Sequence, residues 1–140
     1  ENYCDRKTAA FVGRYSNKVE DLYVPYARPQ ENGHRTDVRW FSVTNQSAIG
    51  LAFAAGSEPL EFNVHHNSTE DFDPGIKKTL RTRSDIRPQN FTEVHIDHAM
   101  TGVAGDDSWG SKAHEPYLLK SGSTYGFTFE IIPLTSSVEP

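Results

Sequence analysis

Short apolar runs that alternate with polar residues set the strongest limit on how this chain folds. Ala9–Tyr15, Val38–Thr44, Gly50–Ala54, Leu60–His66, Phe91–His98 and Tyr125–Ile132 are rich in aromatic and β-branched residues. They are short, and a period of two puts their apolar side chains on one face. These runs predict strands. Turn-forming strings lie between them: "PQENG" at 29–33, "NQS" at 45–47, "AGSEP" at 55–59 and "KSGS" at 120–123. That spacing suits antiparallel pairing, so the expected fold is all-β, an antiparallel β-sandwich or half of one. One short helix is expected near 68–80, where Ser68 and Asp71 form a capping-box start with acids early and lysines late; Pro74 and Gly75 should break or shorten it.

The chain has 140 residues, which predicts a single domain over 1–140 with a loose tail at 135–140. Its net charge of −5 argues against nucleic acid as a partner. No run approaches the roughly 18 apolar residues of a membrane span. A single cysteine, Cys4, excludes an internal disulfide and a cysteine-based zinc cluster. The start at Glu1 without Met is read as a segment cut from a longer protein, so the compartment stays open.

The string "GVAGDDSWG" at 102–110 puts the largest side chain among residues that strands and helices avoid. Either the loop folds the Trp109 indole under itself or it holds the indole out, where its face can stack on the C–H face of a sugar ring. Gly105 and Gly110 would permit the positive φ of a projecting loop. Asp106 and Asp107 invite a glycosidase reading, but adjacent carboxylates diverge in extended backbone and accept local N–H groups in turns. Their expected role is to shape the loop and aim Trp109.

Trp40 sits in "DVRWFSV" and is expected in the core or on an inter-domain face. "HH" at 65–66 and "HIDH" at 95–98 do not converge three ligands on a strand, so no metal site is expected. "LRTRSDIR" at 80–87 reads as a solvated connection, and Asn45, Asn67 and Asn90 head Asn-X-Ser/Thr sites that would matter only in a secretory pathway. No nucleophile elbow, phosphate loop or dinucleotide fingerprint is present. The residues by themselves describe a β-domain with one candidate carbohydrate-binding loop.

Longer strings add a resemblance. "ENYCDRKTAA" at 1–10, "DLYVPYARPQENGHRTDVRW" at 21–40, "LEFNVHHNSTEDFD" at 60–73, "VAGDDSWG" at 103–110 and "EPYLLKSGSTYGFTFEIIPL" at 115–134 resemble, in order, the C-terminal domain of the large bacterial β-galactosidases of glycoside hydrolase family 2. The resemblance implies the closing part of a galactose-mutarotase-like β-supersandwich. It also implies a parent that hydrolyses terminal β-galactosides such as lactose with retention, through glutamates in a catalytic barrel domain. No catalytic residue is then expected in this segment, which alone should be inactive.

By its place in the motif, Trp109 would be the aglycone platform at the mouth of that active site, with Gly102, Gly105, Asp106, Asp107, Ser108 and Gly110 shaping its loop. Ala104 stands where the commoner form has glycine and should restrict one turn. Implied partners are the barrel domain of the same polypeptide, the galactoside substrate and, through bared edges or faces, a second copy of the chain. Metal ions common in the family, Mg and Na, would bind outside this segment, and the compartment would be bacterial cytoplasm or periplasm. Alternatives are a free-standing carbohydrate-binding module and a docking domain or separate small subunit.

Overall fold

The computed structural model describes residues 1–5, 12–25, 32–73, 75–76, 82, 84–107 and 109–135. Among them the strands are β1 Arg35–Val38, β2 Trp40–Thr44, β3 Gly50–Ala55, β4 Leu60–His65, β5 Glu93–Asp97 and β6 Phe129–Leu134. All pairings are antiparallel, giving one sheet in the order β1-β4-β5 and a second in the order β2-β3-β6. The single α-helix described, α1 at Thr69–Phe72, begins where expected: the Ser68 side chain accepts the Asp71 N–H while Asp71 reaches back to the Ser68 N–H. The fold is an all-β sandwich with one short helix.

Some strands differ from expectation for local reasons. The run Val38–Thr44 is divided between the two sheets, with Val38 ending β1 and Trp40 starting β2. Asp37 has φ +60°, and the β1–β4 register shifts between Arg35 and Val38, so a bulge turns the chain toward the other sheet. Val12–Tyr15, the described part of the run at 9–15, belongs to no strand, and Val12 and Tyr15 are exposed. The last strand begins at Phe129 rather than Tyr125 and includes Pro133, which β6 tolerates as an edge strand. The tail expected at 135–140 lies outside the described residues beyond Thr135.

The core sits between the sheets. Phe41 and Phe53 face each other across β2 and β3, and Phe41 stacks on Phe62 of the opposite sheet with centroids 4.0 Å apart. Leu60 and Val64 complete the buried cluster, each fully covered side chain contributing about 1.5–3 kcal/mol. Alternation along β4 then places Glu61, Asn63 and His65 on the other face of that sheet, and these are buried too.

Buried polar groups need partners. His34 Nε2 lies 2.8 Å from Glu61 Oε2, His65 Nε2 meets the Asn32 carbonyl, and the Asn32 amide holds the Val24 backbone at 2.9 and 2.6 Å. Between them Gly33 has φ +70°, and a Cβ there would lie 2.7 Å from the Leu22 carbonyl oxygen, so the position requires glycine on both counts.

Candidate functional site

The Trp109 loop lies in the long connection from β5 to β6, and its shape comes from ties at its base and tip. At the base, Met100 N–H donates to Glu61 Oε2 at 2.7 Å and Gly102 N–H donates to the Tyr117 carbonyl at 2.8 Å. Asp5 crosses from the other end of the chain: its carboxylate accepts the Val103 N–H at 3.1 Å and the Ala104 N–H at 2.9 Å. At the tip, Asp107 Oδ1 accepts the N–H groups of Trp109 at 2.7 Å and Ser111 at 3.4 Å. Trp109 itself is 94% exposed. The loop holds its indole out.

The glycines do different work. Gly110 has φ +117°, a conformation that side chains with a Cβ rarely adopt. Gly105, expected to supply a second positive φ, is not among the positive-φ glycines; a Cβ there would lie 2.4 Å from the Ser111 carbonyl oxygen. Its smallness lets the two limbs of the loop touch. Gly102 is pressed on the latch at the base, where a Cβ would meet Asp5 Oδ2 at 2.4 Å. Ala104 is not among the positive-φ residues, so its methyl group fits the turn without backbone strain. Ser108 lies outside the described residues.

The two carboxylates of the loop are engaged as acceptors. Hydrogen bonds from the Trp109 N–H first, and then from Ser111, hold the Asp107 carboxyl below its ordinary value of 3.8, so it is ionised at neutral pH. Asp106 Oδ1 lies 2.8 Å from His114 Nε2 in a solvent-exposed pair, an arrangement worth little in stability. The chemistry this loop offers is therefore a flat apolar surface with two hydrogen-bonding carboxylates beside it.

Other sequence candidates lie elsewhere. Trp40 is half exposed rather than in the core, with the Arg14 guanidinium 5.3 Å from its ring centre, because β2 turns it to the face opposite Phe41. His65 is buried, whereas His66 is exposed and meets the Phe91 carbonyl at 2.8 Å. His95 pairs with Glu93 at 2.7 Å. Burial alone would raise the Glu93 carboxyl, but hydrogen bonds from His95 and Thr69 outweigh it and lower the value. His65, Glu93, His95, Thr69 and Asn63 line a cavity of about 40 Å³, room for water rather than a sugar. Within the expected solvated connection at 80–87, Ile86 is buried. Asn67 is buried as well, its amide donating to the Arg87 carbonyl.

Asp5 and Glu61 are the site residues that sequence reasoning missed. Asp5 stands 98 residues from Val103 and Glu61 stands 39 from Met100, so no local pattern links them. The one available signal was that both fall inside long strings that resemble the family.

The family described as β-galactosidase small chain matches residues 1–131. This chain belongs to that family. The small-chain domain is 35% identical over 134 residues to a β-galactosidase of Streptococcus thermophilus, which covers 96% of this chain and 13% of that protein. It is 35% identical over 137 residues to a β-galactosidase of Priestia megaterium, covering 96% of this chain and 12% of that protein. With a β-galactosidase of Halalkalibacterium halodurans it shares 32% identity over 131 residues, 94% of this chain and 12% of that protein. The domain thus spans about an eighth of the length of these relatives.

Proposed function

We propose that this small-chain domain is part of a β-galactosidase polypeptide that hydrolyses terminal β-galactosides such as lactose, and that the domain performs no chemical step itself. It supplies Trp109 as the platform for the aglycone sugar, at the mouth of an active site built by the catalytic barrel domain. Similarity to β-galactosidases over nearly the whole chain supports the parent activity. The observation that carries the role of Trp109 is its exposure, 94%, on a loop whose backbone is tied at base and tip. An indole left in water forgoes the stabilisation of burial, and a loop held by this many bonds loses little further entropy when a ligand covers it. A sugar ring presents apolar C–H groups to such a face and hydroxyls to its polar surroundings.

The test is Trp109→Ala in the full-length enzyme. Loss of a non-reacting contact should raise KM for lactose by about tenfold, equivalent to roughly 1.4 kcal/mol. Hydrolysis of a simple aryl galactoside should change far less. Equal losses on both substrates would overturn the platform.

A further inference from the structure

We propose that Asp5 is a positioning residue for Trp109: its carboxylate latches the base of the indole-bearing loop and sets where the platform stands. The proposal rests on the platform reading of Trp109. One carboxylate takes two successive N–H groups, Val103 on Oδ1 at 3.1 Å and Ala104 on Oδ2 at 2.9 Å, and such charge-assisted bonds are about twice as strong as neutral ones. Two adjacent donors on one carboxylate fix direction as well as distance.

The latch is itself anchored. Glu1 Oε1 accepts the Gly33 N–H at 3.0 Å, Asn2 N–H donates to the His34 carbonyl at 2.8 Å, and Tyr3 stacks on the His34 ring at 5.6 Å. His34 in turn meets Glu61, the residue that receives Met100 N–H. Cys4 Sγ reaches the Met100 carbonyl at 3.5 Å, next to the latched residues. The first five residues are therefore joined to the buried polar face of the β1-β4-β5 sheet.

From the latch the position is carried to the indole through a stiff tip. Gly105 packs on Ser111, and Asp107 binds both Trp109 and Ser111, so these four residues brace one another. A shift at Val103 and Ala104 is therefore passed on toward Trp109. Gly102 lacks a side chain where a Cβ would meet Asp5 Oδ2 at 2.4 Å and Ala113 Cβ at 2.8 Å, so the carboxylate approaches only because that space is open. Displacing a binding group by about 1 Å is enough to lose much of its contribution.

The experiment compares Asp5→Ala, Asp5→Asn, Trp109→Ala and the Asp5→Ala/Trp109→Ala double variant in the full-length enzyme, on lactose and on an aryl galactoside. Amide hydrogen exchange over 101–110 is followed in parallel. Asp5→Ala should speed exchange at Val103 and Ala104 by about tenfold or more and raise KM for lactose several-fold, with much less change on the aryl galactoside. Asp5→Asn keeps one acceptor oxygen and should fall between. In the double variant the Asp5 change should add little, because its effect passes through Trp109.

Equal slowing of both substrates, or additive effects in the double variant, would overturn the latch. An effect of Trp109→Ala without one of Asp5→Ala would overturn the latch and leave the platform standing. No effect of Trp109→Ala would overturn both. If Asp5→Ala fails to fold, Gly102→Ala provides the test from the other side of the contact, with the same expected pattern.

Discussion

Asp107 Oδ1 lies 2.7 Å from the backbone nitrogen of Trp109 and accepts its N–H, so the main chain of the exposed tryptophan is fixed by the residue two before it. The indole is left exposed while the backbone beneath it is held. Because these bonds hold the Asp107 carboxyl below 3.8, their contribution is fully present above that ordinary value and is lost as pH falls through the lower, folded-state value. The tip should therefore stay ordered from neutral pH down to about pH 4 and loosen only below it. Fluorescence anisotropy of Trp109 in the 140-residue chain carrying Trp40→Phe measures this. Asp107→Asn retains an oxygen acceptor but cannot titrate, so its acid transition should disappear; a transition that survives would assign the effect to another group.

Gly110 tests the geometry of the same tip. At φ +117° with nothing within 4 Å of a built Cβ, alanine meets no clash, and its cost is backbone strain alone, about 1–3 kcal/mol. The loop can relieve that strain by moving without disturbing the sheets. Gly110→Ala should therefore lower the melting temperature by no more than about 4 °C while raising KM for lactose. An unchanged KM would show that the turn at Gly110 does not place the indole.

These two residues also show what the sequence made readable. The run "GDDSWG" announces a turn because its composition is local, and the aspartate and glycine act within two residues of the tryptophan. Likewise Gly50–Ala54 and Leu60–His66 are legible as strands from apolar residues two apart, Leu51 and Phe53 in one and Leu60, Phe62 and Val64 in the other. What alternation cannot state is which sheet a strand joins. Val38–Thr44 looks continuous until Asp37 adopts φ +60° and sends Trp40 to the opposite sheet, a choice made by tertiary pairing. The reason for Gly105, contact with Ser111 rather than a positive φ, depends on how the loop returns on itself. Asp5 and Glu61 were invisible for the same reason: their partners are distant in sequence and belong to backbone N–H groups, which every residue carries.

The buried link between His34 and Glu61 should be costly to break from one side. Glu61 Oε2 receives both His34 Nε2 at 2.8 Å and Met100 N–H at 2.7 Å, and His34 is wholly buried. Glu61→Ala takes the acceptor from the buried His34 ring and from the part-buried Met100 N–H and should destabilise the chain by about 3–5 kcal/mol. Glu61→Gln keeps an oxygen acceptor and should cost less. Urea unfolding measures both, and equal losses for alanine and glutamine would show that packing rather than hydrogen bonding holds this site.

A last comparison separates buried from merely apolar positions in the two sheets. Leu60 is 1% exposed, between Phe41, Phe53 and Val64 in the core cluster, whereas Ile131 pairs with Phe53 across β3 and β6 yet remains 56% exposed. Both look like core residues in the sequence. Leu60→Ala removes contacts on every side and leaves a cavity that the neighbouring rings cannot close, so it should cost about 2–5 kcal/mol. Ile131→Ala removes a side chain already half in water at an edge strand, so the expected cost is about 1 kcal/mol or less. Urea unfolding of the two variants side by side decides it. A loss at Ile131 as large as that at Leu60 would mean that the side of the β2-β3-β6 sheet around Ile131 is covered in solution, a role the strand alternation alone would never have revealed.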